Sequence, residues 1–221
     1  MHFKTQAMSV VIAAIRRDYK LQSLSEKDVA TNPIDQFTKW WDEAVASNID
    51  EVNAMTLATV DASSKPSARI VLLKGYDAEG FTFFTNYNSQ KGQEIAANPF
   101  ASLVFFWKEL ERQVCIEGTI EKVSDKESDA YFYSRPVGSR IGAWSSPQSS
   151  VISDRSILDD NAKKYTVEFG ENVPRPPHWG GYIIKPLQIE FWQGRSSRLH
   201  DRIVYKREKI TDNWQIARLA P

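Results

Sequence analysis

Between residues 54 and 86 the chain reads AMTLATVDASSKPSARIVLLKGYDAEGFTFFTN, and this run restricts the fold more than any other feature. Three segments rich in β-branched and aromatic residues are separated by DASSK and DAEG, polar stretches of the kind that reverse a chain. Connections this short leave no room for a crossover helix, so the strands pair antiparallel. The texture recurs in ASLVFFWKELERQVCIEGTIEKVS, read as two long strands around a charged turn, and in YIIKPLQIEFWQG, RLHDRIVYKRE and NWQIARLAP near the end. Helical stretches are interspersed without a βαβ rhythm. Pro33 opens IDQFTKWWDEAVAS with Asn32 as N-cap, and SQKGQEIAAN forms a short helix ended by Asn98-Pro99. Ser124 and Glu127 stand at capping-box spacing before a helix that ends near Arg135, and SDRSILDDNAKKYTVEFG forms another, with Ser153 as its cap. The expectation is an α+β, mainly antiparallel β, fold around a barrel-like sheet.

With 221 residues, no repeats and no linker after residue 50, the chain reads as a single domain, residues 1–221, with 1–31 as an N-terminal arm. Residues 9–20 read as a helical part of that arm, ending in RRDYK. Lys and Arg number 28, as do Asp and Glu, so no global field favours nucleic acid or an anionic membrane. The longest apolar runs, SLVFFW and RIVLLK, fall far short of the roughly 20 residues a bilayer requires. In MSVVIAAIRRDY the arginines follow the apolar run, the wrong polarity for a signal peptide. With one cysteine, Cys115, the chain is expected to be cytoplasmic. Cys115 lies within a strand and reads as an inert core thiol. His2, His178 and His200 are scattered without partners at ligand spacing, so no metal site is expected. Neither GxSxG nor GxGxxG occurs.

Four stretches carry polar chemistry beyond the needs of a core. RIVLLK brackets an apolar strand with Arg69 and Lys74, although snorkelling ends of a buried strand would look the same. Being five apart, the two point to opposite faces of a regular strand, so either the strand is interrupted or they reach different groups. TNYNSQKG offers hydroxyls, amides, Lys91 and free N–H groups before a helix, as a phosphate monoester requires and as a plain capped turn would also supply. In AYFYSRPVGS, Tyr131 and Arg135 lie four apart, with Ser139 after a Pro-Gly break that could fold it back; equally, Tyr131 could pack and Arg135 cap the helix. In GRSSRLHDR, strand alternation would put Arg198, His200 and Arg202 on one face, where they repel unless something negative or electron-rich lies among them. Arg195 reads as solvated.

Taken in order, RIVLLK, FTN with SQKG, ERQVCIEGTIEKV, AYFYSRPVGSRIGAWSSPQSS, PPHWGGY and FWQGRSSRLHDR closely resemble the pyridoxine (pyridoxamine) 5′-phosphate oxidases. The resemblance runs through essentially the whole chain, including the arm IRRDY, and RPxGSRIGAWxSxQS and FWQGxxxRLHDR are its most specific strings. It implies an FMN-binding split β-barrel with surrounding helices, a homodimer with FMN at the interface. It also implies oxidation of pyridoxine or pyridoxamine 5′-phosphate to pyridoxal 5′-phosphate, with O2 reduced to H2O2. By the same resemblance, FMN would be held by Arg69, Ile70, Val71, Leu72, Leu73, Lys74, Phe84, Thr85, Gln90, Lys91, Gln113, Gln148, Ser149, Trp192 and Arg202. Lys74, Tyr131, Arg135 and Ser139 would cradle the substrate phosphate. Arg198 and His200, the catalytic pair, would hold the pyridine ring with Leu199 between them, and Arg16, Arg17, Asp18 and Tyr19 would close over it. The family commonly has SRKG where this chain has SQKG, so Gln90 replaces a guanidinium. A split-barrel flavoprotein for another ring, or a non-catalytic FMN or pyridoxal phosphate carrier, would need the same fold but not the whole site.

Overall fold

The computed structural model describes Ala14 and residues 18–221. Arg16, Arg17 and most of the helical reading of residues 9–20 lie outside that range. Helix α1 (Pro33–Ala46) begins as its sequence dictates: Asn32 Oδ1 accepts the Ile34 N–H at 2.8 Å, and Pro33 stands where no N–H is required. Strands β1 (Ala54–Val60), β2 (Pro66–Leu72), β3 (Gly75–Tyr76) and β4 (Phe81–Asn86) follow, then α2 (Gln90–Ala97). Next come β5 (Phe100–Trp107), β6 (Arg112–Lys122), α3 (Asp125–Ser134), α4 (Val137–Ser145) and α5 (Ser156–Phe169). The chain finishes with β7 (Trp179–Gln193), β8 (Asp201–Lys206) and β9 (Gln215–Arg218). Among the described residues no helix is long and apolar enough to cross a membrane.

All strand pairs are antiparallel, in the order β2-β1-β5-β6-β7-β4-β3, with β8 on β7 and β9 on β8. The 15-residue β7 organises the sheet. Strand β6 pairs along its residues 182–193, while the other edge is shared by β4 at 179–184 and β8 at 188–193. Pro186, which has no N–H to donate, lies in the gap between them, opposite a bulge at Glu117/Gly118. The sheet therefore splits there. Its main core gathers around Phe37, fully buried among Trp41, Tyr76, Phe81, Phe105 and Trp107 at centroid distances of 4.9–6.1 Å. A second cluster of Phe132, Ile141, Val173 and Trp179 packs with Phe84 and Tyr131.

Three local expectations are corrected. Helix α5 starts at Ser156, and Asp154 rather than Ser153 accepts the Ser156 N–H (2.7 Å), a carboxylate nearer the end outcompeting the hydroxyl. The stretch after Pro136 is no simple break, because α4 begins directly at Val137, Pro136 at φ −54° being compatible with a helix start. The segment RLHDR is not one strand. Ser196–Arg198 form a 3-10 turn with Ser197 and Arg198 at φ 58° and 63°, and β8 begins only at Asp201. Asp201 is tied to Arg195 and Arg218 and accepts the Leu24 N–H, which holds the turn closed. Arg198, His200 and Arg202 therefore do not alternate along a strand, and Arg195, with 41% of its side chain exposed, is also ion-paired to Asp201. Truncating Phe37 to Ala is expected to cost about 3–5 kcal/mol, measured by urea unfolding, because it empties the centre of the aromatic core.

Candidate active site

A cleft of about 660 Å³ opens between β2, β4 and the starts or ends of α2, α3 and α4. It brings together Arg69, Ile70, Val71, Leu72, Lys74, Phe84, Thr85, Lys91, Tyr131, Arg135, Ser139 and Gln148. Arg69 and Lys74 share it because β2 ends at Leu72. Leu73 turns into the core, its N–H donating to Asn53 O, and the Lys74 N–H donates to Thr82 O. The interruption resets the alternation, so both cations line one wall.

At one end, Ser89 caps α2, its Oγ accepting the Gly92 N–H. The helix can start so close to the preceding turn only because residue 92 is glycine: a Cβ there would lie 2.1 Å from Tyr87 O. Lys91 Nζ reaches Thr85 Oγ1 (3.3 Å), Ser89 Oγ (3.4 Å) and Gln148 Oε1 (3.1 Å), all neutral acceptors. Burial, with the Arg69 charge nearby, pulls the Lys91 pKa down. Arg69 is held differently, Nη2 lying 3.0 Å from Glu94 Oε2 and close to Ser67 Oγ. Glu94 also accepts from Thr59, Ser67 and the Gln90 amide (2.8 Å). Gln90 is thus turned onto Glu94 and does not line the cleft. Burial alone would raise the Glu94 pKa, but these hydrogen bonds outweigh it and hold the carboxyl down at about 2.

At the other end, Arg135 is half-buried, and its Nη1 is buried without a hydrogen-bond partner. Its guanidinium lies 4.7 Å from the Trp179 ring centroid, and Lys74 Nζ 5.9 Å from that of Tyr131. Burial pulls the Arg135 pKa down. Among the described residues neither Lys74, Lys91 nor Arg135 has a carboxylate within ion-pair distance. The cleft is a cationic site with aromatic walls.

The remaining candidates gather elsewhere. Gln113, Trp192 and Arg202 are cross-strand neighbours on β6, β7 and β8. Trp192 lies 4.5 Å from His200 and 5.8 Å from Tyr19, and Tyr19 6.0 Å from His200, between ring centroids. Asp18 is ion-paired with Lys20 (3.0 Å), and the Tyr19 carbonyl accepts from Ser196 Oγ (3.2 Å) in the turn that carries Arg198 and the exposed Leu199. Arg202 makes two hydrogen bonds to Glu190 (2.7 and 2.9 Å). His200 Nδ1 accepts the Arg195 N–H at 3.0 Å, and burial together with the Arg198 charge lowers its pKa. Burial, with Glu190 and Glu117, pushes the Cys115 thiol up to about 11, so it stays protonated and inert. None of this second group lines the cleft, and neither do Leu73 and Ser149.

Sequence reasoning missed Asn86, Gly142, Ala143, Ser146 and Trp179 in the lining, and Glu94 behind it. Three of these follow from α4, which begins directly after Pro136; Trp179 stands within the PPHWGGY string, which carries no assigned role. The Glu94 carboxyl has a folded pKa below its ordinary 4.5, so the stability it contributes is present above about pH 4.5 and lost as pH falls towards 2. Glu94→Gln is expected to flatten the fall in urea midpoint across that window; an unchanged slope would contradict the assignment.

Residues 41–168 match the family model described as pyridoxamine 5′-phosphate oxidase, and residues 179–221 that of the pyridoxine 5′-phosphate oxidase C-terminal dimerisation region. The pyridoxine/pyridoxamine 5′-phosphate oxidase of Cupriavidus necator is 60% identical over 210 residues, covering 95% of this chain and 99% of that protein. That of Paraburkholderia phytofirmans is 57% identical with the same coverage. Among solved structures, PhzG from Burkholderia lata, in complex with tetrahydrophenazine-1-carboxylic acid, superposes with a TM-score of 0.86 at 29% identity, covering 93% of this chain and all of that one. A pyridoxamine 5′-phosphate oxidase-related, FMN-binding protein of Nostoc punctiforme shares the fold alone, with a TM-score of 0.68 at 16% identity over 87% of this chain and all of that one. The chain belongs to the pyridoxamine 5′-phosphate oxidase family, with the split-barrel fold of that family.

Proposed function

We propose that this protein is an FMN-dependent homodimeric oxidase that converts pyridoxine or pyridoxamine 5′-phosphate to pyridoxal 5′-phosphate and reduces O2 to H2O2. The observation that carries this reading is the cleft's set of cations without carboxylate partners, above all the orphaned buried N–H of Arg135. A buried donor left unpaired costs about 1–3 kcal/mol, which an incoming phosphate oxygen would recover. The residues fit two phosphate esters. Arg69, Thr85, Lys91 and Gln148 would take that of FMN at the start of α2, and Lys74, Tyr131, Arg135 and Ser139 that of the substrate. A substrate without phosphate would leave the second set with no purpose, which disfavours the reading as a flavoprotein for another ring.

The position of the second group supports the dimer. Trp179 and Trp192 stand at opposite ends of β7, separated by on the order of 40 Å of extended strand. Trp192, Arg198, His200 and Arg202 would therefore complete a partner's cleft, a reading supported by the dimerisation-region match and by exposed Ile70 and Phe106 on the sheet. When bound, FMN would supply the two-electron redox chemistry that couples oxidation of the substrate to reduction of O2. The protein's part is positioning. The phosphate cradle holds one end of the substrate, and Arg198 covers its ring. His200, with Nδ1 accepting from Arg195 and its pKa lowered, is neutral and carries its proton on Nε2, so it donates a hydrogen bond to the substrate rather than removing a proton.

Anaerobic addition of pyridoxine 5′-phosphate to the purified protein is expected to bleach a visible flavin band, and admission of air to release H2O2. A colourless protein that stays colourless with added FMN, or a flavin band that does not bleach, would overturn the reading; bound flavin without turnover would favour a carrier. Arg198→Ala is expected to impair turnover far more than FMN content.

A further inference from the structure

The two arginines of the cleft are held in opposite ways. Arg69 sits against the Glu94 carboxylate, which cancels its charge while fixing its direction. Arg135 sits against the faces of two rings, Trp179 at 4.7 Å and Phe132 at 5.7 Å, and against no carboxylate among the described residues. An aromatic quadrupole attracts a cation without neutralising it, so the full charge remains available to a ligand.

Trp179 is itself firmly set. Its N–H donates to Pro176 O (3.0 Å), its carbonyl accepts from Arg175 Nη1 (2.8 Å), and it pairs with Asn86 across β4. Its ring stacks on Phe84 (5.6 Å, 13°) and lies nearly parallel to Tyr131 (6.1 Å, 11°), while Phe84 and Tyr131 stack at 4.1 Å. Phe84 can lie against the sheet because residue 181 is glycine: a Cβ there would lie 2.8 Å from its ring. One aromatic stack therefore sets the positions of both Tyr131 and Arg135, which the last turn of α3 would otherwise leave to a fraying helix end.

We propose that Trp179 is a positioning and specificity-determining residue: its indole holds the Arg135 guanidinium, charge uncancelled, in register with Tyr131, so that the cleft selects rings bearing a phosphate. This rests on the reading of that end of the cleft as the substrate-phosphate cradle. The selection is read as the ratio of two dissociation constants, for pyridoxal and for pyridoxal 5′-phosphate, measured by equilibrium dialysis on the FMN-loaded protein.

In Trp179→Leu that ratio is expected to fall about tenfold, between the values of an exposed and a fully desolvated cation–π contact, as befits the half-buried Arg135. The dissociation constant of FMN should stay within about twofold, and KM for pyridoxine 5′-phosphate should rise by more than kcat falls. Trp179→Phe, which keeps a ring, should restore most of the ratio, and it carries the comparison should the Leu variant fail to fold by circular dichroism. In an Arg135→Ala background, Trp179→Phe and Trp179→Leu should leave the ratio unchanged, since the indole acts through that arginine. A wild-type ratio in folded Trp179→Leu, an equal loss of FMN, or a full Trp179→Leu effect without Arg135 would each overturn the proposal. A wild-type protein that does not prefer the phosphorylated ligand would instead overturn the cradle reading, and the proposal with it.

Discussion

The architecture depends on one constraint: a strand has two edges, and β7 gives one of them to two different partners. Where Pro186 removes a donor and Gly118 admits a bulge, β4 gives way to β8 and the sheet divides. That division sends the Trp179 end of β7 to the cationic cleft and the Trp192 end to the His200 cluster. The same covalent strand thus carries parts of both groups and keeps them apart. The residues matched to one site therefore occupy two places in a single chain, and the dimer proposed above is the arrangement that would bring them together.

The cleft's electrostatics follow from how each cation is supported. Burying a charge is costly unless something offsets it, and three different offsets are used here. Arg69 has a carboxylate whose own charge is stabilised by two hydroxyls and an amide. Lys91 has neutral oxygens, and Arg135 has ring faces and an unused N–H. Only the first is neutralised before a ligand arrives. The remaining charge, on Lys74, Lys91 and Arg135, lines one aromatic-walled cleft.

His200 illustrates how a backbone contact decides chemistry. The Arg195 N–H occupies Nδ1, and burial together with the neighbouring Arg198 charge disfavours protonation. The ring is left as a fixed donor. The positive φ angles of Ser197 and Arg198 close the turn that makes this contact possible, in a segment that alternation alone would have drawn as a strand.

Local chemistry was legible in the sequence wherever neighbours in the chain act on one another. Asn32-Pro33 start α1, Ser124 with its N–H partner at Glu127 starts α3, Asn98-Pro99 ends α2, and DAEG reverses the chain, because caps and turns are satisfied within a few residues. The family was legible too, since its strings carry the residues of the site in order. What only the tertiary structure decided are the contacts between distant segments. These include the break after Leu72 that aligns Lys74 with Arg69, the seating of Glu94 against Thr59, Ser67 and Arg69, the stacking of Trp179 with Tyr131 and Arg135, and the division of the candidates into two groups. Each depends on which strand edge meets which, and pairing between segments a hundred residues apart leaves no period in the sequence to read.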